Sequence, residues 1–179
     1  MNKKNVLAIL GSNRKKSTNE SILRVLGTLY NSAINMKIYE GIDQLPHFNP
    51  DVTDNDVSLE VSRFRAEIAA ADGVIICTPE YVFSVPGSLK NALEWTVSTT
   101  VFSNKPTAII VASGLGEKTY ESPKLIMATL GVRMDDESAI LIQGARARIH
   151  PDTGNFDDPT RTQVDRLMES FLKCMDTTP

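Results

Sequence analysis

The strongest constraint in this chain is an alternation of short apolar runs with helical stripes. Val6–Leu10, Gly73–Cys77, Thr107–Ala112 and Ala139–Ile142 are nearly continuous apolar stretches of strand length. Such runs lack a polar face, so they predict strands covered on both sides. Met36–Tyr39 alternates more weakly, as an edge strand does. Between the runs, Ile22, Leu23, Leu26, Leu29, Tyr30 and Ala33 form one stripe of a helix over 19–33. Val61, Phe64, Ile68 and Ala71 mark a second helix, and Leu89, Ala92, Leu93 and Thr96 a third, with Pro86 and Gly87 near its start. Residues 120–130 form a fourth, and Val164, Leu167, Met168, Phe171, Leu172 and Met175 a fifth. Strands alternating with helices predict a parallel sheet wrapped on both faces, here with Val6–Leu10 as the central strand.

The 179 residues read as a single domain, 1–179, with no repeat or linker. A chain of this length buries about 70% of its unfolded surface, enough for a full core. A net charge of -3 gives no general attraction to nucleic acid or to acidic membrane. The apolar run behind the basic start is five residues, too short for a secretory core or a membrane span. Cys77 and Cys174 have neither CxxC nor metal-ligand spacing, so a reducing, cytoplasmic setting is expected and no metal site is.

In such a sheet, ligands gather beyond the carboxyl ends of the strands. The segments to examine there are "GSNRKKSTN" after the first strand, "TPEYVFSVPG" after the third and "SGLG" after the fourth. The first is rich in hydroxyls and cations. It does not fit a Walker loop, which would need glycine at Lys16 and lysine at Ser17, nor a dinucleotide turn, which would need glycine at Asn13 and Lys16. A phospho-receiver is also disfavoured, since acidic residues are missing after the first strand and no aspartate ends the third. What remains is a single terminal phosphate, held by the N–H groups and dipole of the helix starting near Asn19, by Ser12, Ser17 and Thr18, and by Arg14. Read conservatively, Ser17, Thr18 or Asn19 is a plain helix cap beside solvated cations.

The second segment sets Tyr81 and Phe83 between two prolines beside a Val-Pro-Gly turn. A rigid aromatic loop of that kind suits a flat ring such as an isoalloxazine, which needs apolar walls and backbone polar groups. Gly114 and Gly116 would let backbone approach the ring closely.

The patterns GSxRxxSxN and PEYxxSxPGxLKNALxW, with SGLG, resemble the signature segments of the NADPH-dependent FMN reductase family. The resemblance spans roughly residues 5–131. It implies a flavodoxin-like three-layer α/β sandwich with a five-stranded parallel sheet in the order 2-1-3-4-5. Ser12, Arg14, Ser17 and Asn19 would hold the FMN phosphate, with Thr18 beside them. Pro79, Glu80, Tyr81, Val82, Ser84, Ser113, Gly114 and Gly116 would surround the ring. NADPH or NADH would give a hydride to FMN, and electrons would pass to a quinone, azo compound, metal oxyanion or free flavin, with no catalytic side chain required. A homodimer or homotetramer is also implied. One departure is Val82, where many relatives have asparagine. The alternative is a flavodoxin-type electron carrier that binds FMN without oxidising nicotinamide.

Other candidates are weaker. Cys77 reads as a small core residue, His47 and His150 as isolated surface residues, and Trp95 as either ordinary packing or a subunit contact.

Overall fold

The computed structural model describes residues 2–14, 16–150 and 155–177; Lys15 of the first candidate segment lies outside them. Strands β1 (Lys4–Leu10), β2 (Ile34–Tyr39), β3 (Gly73–Thr78), β4 (Thr107–Ser113) and β5 (Ala139–Gln143) form one parallel sheet in the order β2-β1-β3-β4-β5. The order is the expected one, but the middle of the sheet is β3. β1 is internal, paired through Lys4 with Ile34 on one side and through Val6 with Gly73 on the other.

Helices α1 (Thr18–Leu29) and α5 (Asp158–Asp176) cover one face, and α2 (Leu59–Ala70), α3 (Gly87–Glu94) and α4 (Glu117–Thr129) the other. The period-2 geometry of a strand divides each apolar run between the layers. Leu7, Ile9, Val74, Ile76, Ile109 and Val111 pack with Phe64, Ile68, Leu89 and Met127. Val6, Ala8, Ile75, Cys77, Ala108 and Ile110 pack with Leu23, Leu26, Leu167 and Phe171. Burying each large apolar side chain contributes about 1.5–3 kcal/mol, so both layers are strongly held to the sheet.

Three helix boundaries differ from the apolar pattern. α1 stops at Leu29, and the N–H groups of Ala33 and Ile34 turn back to the Tyr30 carbonyl, although Tyr30 and Ala33 still pack on the core. Burial therefore continues after the helix has ended. α5 begins at Asp158, ahead of its first stripe residue, because Asp157 accepts the Thr160 N–H at 2.9 Å and Pro159 sits in the first turn. α4 likewise begins at Glu117, three residues before its stripe.

The polar segment after β2 folds down onto α3. The Pro46 carbonyl accepts from Trp95 Nε1 at 2.7 Å and from Asn91 Nδ2 at 3.0 Å, while Phe48 meets the Trp95 ring edge-on, with ring centroids 5.2 Å apart. Trp95 is 3% exposed, so its role is packing within the chain.

Candidate functional site

A cavity of about 460 Å³ opens at the carboxyl end of the sheet. Its walls combine Ser12, Arg14, Ser17, Thr18 and Asn19 after β1, Pro79, Glu80 and Tyr81 after β3, and Ala112, Ser113 and Gly114 at the end of β4. The three candidate segments therefore meet. A wider depression at the amino ends of β1 and β2, about 590 Å³ and lined by residues such as Lys3, Asn5 and Asn35, contains none of them.

Local packing fixes the loop after β1. The Gly11 N–H donates to the Cys77 carbonyl at 2.8 Å, and a Cβ on Gly11 would stand 2.8 Å from Thr78 Oγ1. Only glycine lets the chain leave β1 that close to β3. Ser12 is buried, and its Oγ accepts the Arg14 N–H at 3.3 Å. Ser17 caps α1, its Oγ accepting the Glu20 N–H at 3.1 Å. Asn19 is a brace: Nδ2 donates to the Ala112 carbonyl at 3.2 Å, while Oδ1 accepts from the Cys77 thiol at 3.3 Å. The first turn of a helix has N–H groups without intrahelical acceptors. Ser17 takes that of Glu20, which leaves those of Thr18 and Asn19 at the cavity wall.

The lining is electropositive. Arg14 is joined by Arg146, and the single carboxylate among the wall residues is Glu80. That carboxylate is engaged, because Glu80 Oε2 accepts the Thr119 N–H at 3.0 Å. Glu80 thus supplies the side-chain cap that Gly116, at the α4 N-terminus, cannot provide. It also couples the loop after β3 to the helix after β4.

Beyond Glu80 the chain makes a two-residue hairpin, with the Tyr81 and Ser84 N–H groups bonded to each other's carbonyls at 2.9 and 3.0 Å. Val82 and Phe83 at its tip have φ of 50° and 56°, the left-handed pair of a type I′ turn. Val82 is 95% exposed and Phe83 70%. Tyr81 lines the cavity, whereas Val82 and Ser84 do not. Gly116 is also outside the lining; its φ is 84°, and a Cβ there would meet Leu141 Cδ1 at 2.5 Å. Gly114 has open space where a Cβ would project.

A fourth segment, Gly144, Ala145, Arg146 and Ala147 after β5, completes the wall, tied in by the Gly144 N–H to the Gly114 carbonyl at 3.2 Å. Sequence reasoning missed it by stopping at the fourth strand. The signal was available in "GARAR", a glycine and two arginines directly after an apolar run.

Cys77 is fully buried, and burial pushes its thiol far above the ordinary range, so it holds a proton and is no redox thiolate. His47 and His150 are exposed.

A family profile described as NADPH-dependent FMN reductase matches residues 4–136, from β1 through α4. The chain belongs to this family. Its members' chemistry makes the protein an FMN-dependent NAD(P)H oxidoreductase, with FMN as cofactor, and not a flavodoxin-type carrier. Among relatives, a quinone reductase of Pseudomonas putida is 32% identical over 174 residues, covering 93% of this chain and 91% of that protein. An NAD(P)H-dependent FMN reductase of Pseudomonas aeruginosa is 30% identical over 172 residues, covering 93% and 92%. The solved structure of a flavoenzyme NAD(P)H:(acceptor) oxidoreductase from Paracoccus denitrificans is similar with a TM-score of 0.84, 28% identity and 97% coverage of both chains. The three-layer sandwich is accordingly flavodoxin-like. Among the described residues, no helix is long and apolar enough to cross a membrane.

Proposed function

We propose that FMN sits in the 460 Å³ cavity, with its phosphate at the α1 end, and that the protein reduces a small acceptor, with quinones the leading class. One observation carries this reading: hydroxyls and cations, an aromatic loop and a Cβ-free approach converge in one concavity. The donor set fits a phosphate monoester. Ser12, Ser17 and Thr18 offer hydroxyls, the Thr18 and Asn19 N–H groups carry the positive end of the helix dipole, and Arg14 adds charge-assisted bonds worth about 1.5–3 kcal/mol each. Glu80, the one carboxylate of the wall, belongs to the loop after β3 and not to the segment after β1, and its Oε2 accepts the Thr119 N–H.

Pro79, Glu80, Tyr81, Ser113 and Gly114 would then border the ring, the proline and tyrosine as apolar wall and Gly114 as the point of close approach. Val82, Ser84 and Gly116 would act from behind this border, through the hairpin and the start of α4. FMN bound there would supply the redox chemistry between NAD(P)H and the acceptor. The chain's own task is to hold the ring and its two partners in line, which needs neither a general acid nor a metal. Quinone is placed ahead of azo compound, metal oxyanion or free flavin because of the Pseudomonas putida relative.

The whole chain acts as one domain. Two free cysteines suit a cytoplasmic setting. Exposed Val97 and Leu125, on the walls of an apolar depression beside α3 and α4, support a homodimer or homotetramer. The test is anaerobic addition of NADPH to FMN-loaded protein. Bleaching of the flavin absorption, reversed by a quinone, is expected; colour that persists with NADPH, or failure to take up FMN, would overturn the proposal.

A further inference from the structure

The first turn of α4 carries a hydroxyl with nothing to bond. Thr119 is fully buried, and among the described residues its Oγ1 meets no hydrogen-bond partner. Threonines elsewhere in the helices find one: Thr28, Thr129 and Thr162 donate to the carbonyl four residues earlier at 3.0, 2.9 and 3.0 Å. For Thr119 that carbonyl belongs to Leu115, which precedes the helix on the far side of left-handed Gly116. The helical ladder starts one residue later, with the Tyr120 N–H on the Gly116 carbonyl at 3.0 Å. A buried hydroxyl left unmatched is costly, so a position that tolerates one needs a reason.

A spare acceptor stands next to it. The Thr119 N–H donates to Glu80 Oε2 at 3.0 Å, and covalent geometry keeps Oγ1 of the same residue within a few ångströms of that N–H. Among the described residues, no other hydrogen bond and no ion pair reaches the Glu80 carboxylate, although a carboxylate accepts several. Glu80 is half-buried on the cavity wall, where solvent can serve its remaining lone pairs. A flavin in that cavity would remove this solvent, and a carboxylate that loses water needs donors in exchange. Glu80 also stands between Pro79 and Tyr81, the apolar border proposed for the ring, so whatever fixes Glu80 fixes both.

We infer that Thr119 is a positioning residue for the flavin ring: its hydroxyl becomes the second donor to the Glu80 carboxylate when the cavity fills, and holds Pro79 and Tyr81 against the ring. This inference rests on FMN occupying that cavity. The test compares Thr119→Val and Thr119→Ser with the parent, by thermal unfolding of flavin-free protein and by fluorescence titration with FMN and with riboflavin. Thr119→Val replaces the hydroxyl by a methyl of similar shape. Its Tm should hold or rise, because no bond is lost, while both flavins bind about tenfold more weakly, the worth of one hydrogen bond to a charged group. Thr119→Ser should show the reverse, a lower Tm from the lost methyl with flavin affinities within about twofold of the parent. A merely structural role would make stability and affinity fall together. In a Glu80→Ala background, Thr119→Val should cost no further affinity, because the hydroxyl acts through that carboxylate. A lower Tm for Thr119→Val, unchanged flavin affinity, a loss confined to FMN, or additive losses in the double variant would each overturn the inference while leaving the FMN site standing. A parent protein that binds neither flavin would overturn both.

Discussion

Val82 offers a stability prediction that depends on backbone alone. It is β-branched, has φ of 50°, and is 95% exposed. A left-handed conformation costs roughly 1–2 kcal/mol for a residue with a Cβ, more toward the upper end when the Cβ is branched. No burial offsets that cost here. Asparagine tolerates this region because its short amide bonds locally to the backbone, so Val82→Asn should recover about 1 kcal/mol. In a chain of this size that corresponds to a rise of about 2–4 °C in Tm. Val82→Ala, which removes the branch but keeps the Cβ, should fall between the two. Phe83→Gly is a poorer probe, since added freedom in the unfolded chain cancels about 0.5–1 kcal/mol of the relief. The assay is thermal and denaturant unfolding of flavin-free protein. An unchanged or lower Tm for Val82→Asn would refute the reasoning, showing that the valine side chain makes a stabilising contact or that the tip is not left-handed. On this account the departure at residue 82 is a conformational matter, not a missing wall contact in the cavity.

Further expectations follow from the loops and termini. Glu80→Ala removes the cap on the Thr119 N–H and should cost about 1 kcal/mol in denaturant unfolding, with weaker FMN binding, whereas Glu80→Gln should keep most of both. Gly116→Ala forces a Cβ at φ 84° to within 2.5 Å of Leu141 Cδ1, and should lower stability by about 1–3 kcal/mol. The Asp135 carboxyl is raised by partial burial, but the Ser170 and Ser138 hydroxyls and the N–H groups of Glu137 and Ser138 outweigh this and hold it below the ordinary aspartate value. Its stabilising contribution is therefore complete above the unfolded-state value of about 3.9 and fades as pH falls through the lower folded-state value. Asp135→Asn should lose less stability than the parent between pH 6 and pH 3 in parallel thermal melts.

The fold was legible because strands covered on both sides leave unbroken apolar runs, and β1, β3, β4 and β5 all show them. Helix ends were less legible. Tyr30 and Ala33 keep the spacing of a helix after the backbone has turned, since a buried turn and a buried helix select the same side chains. α5 starts early on capping chemistry that an apolar stripe does not record. At the site, three loops could be read from hydroxyls, prolines and glycines, and they do meet. Arg146 escaped because sequence alone does not tell that the segment after β5 folds back toward α1. The roles of individual residues were harder to read. Asn19 looked like an anion ligand, yet its amide is committed to Ala112 and Cys77. Gly116 looked like room for a ring, yet it is required by its φ and by Leu141. Nothing in a valine announces the left-handed tip at Val82.

The most direct measurement compares FMN with riboflavin in the parent protein and in Arg14→Ala, by quenching of flavin fluorescence. The two ligands share the ring and differ in the phosphate. The parent should prefer FMN strongly, and losing the arginine should weaken FMN by roughly 1.5–3 kcal/mol while riboflavin changes little. Equal losses for the two flavins, or a parent protein that binds them alike, would contradict a phosphate seat at the start of α1.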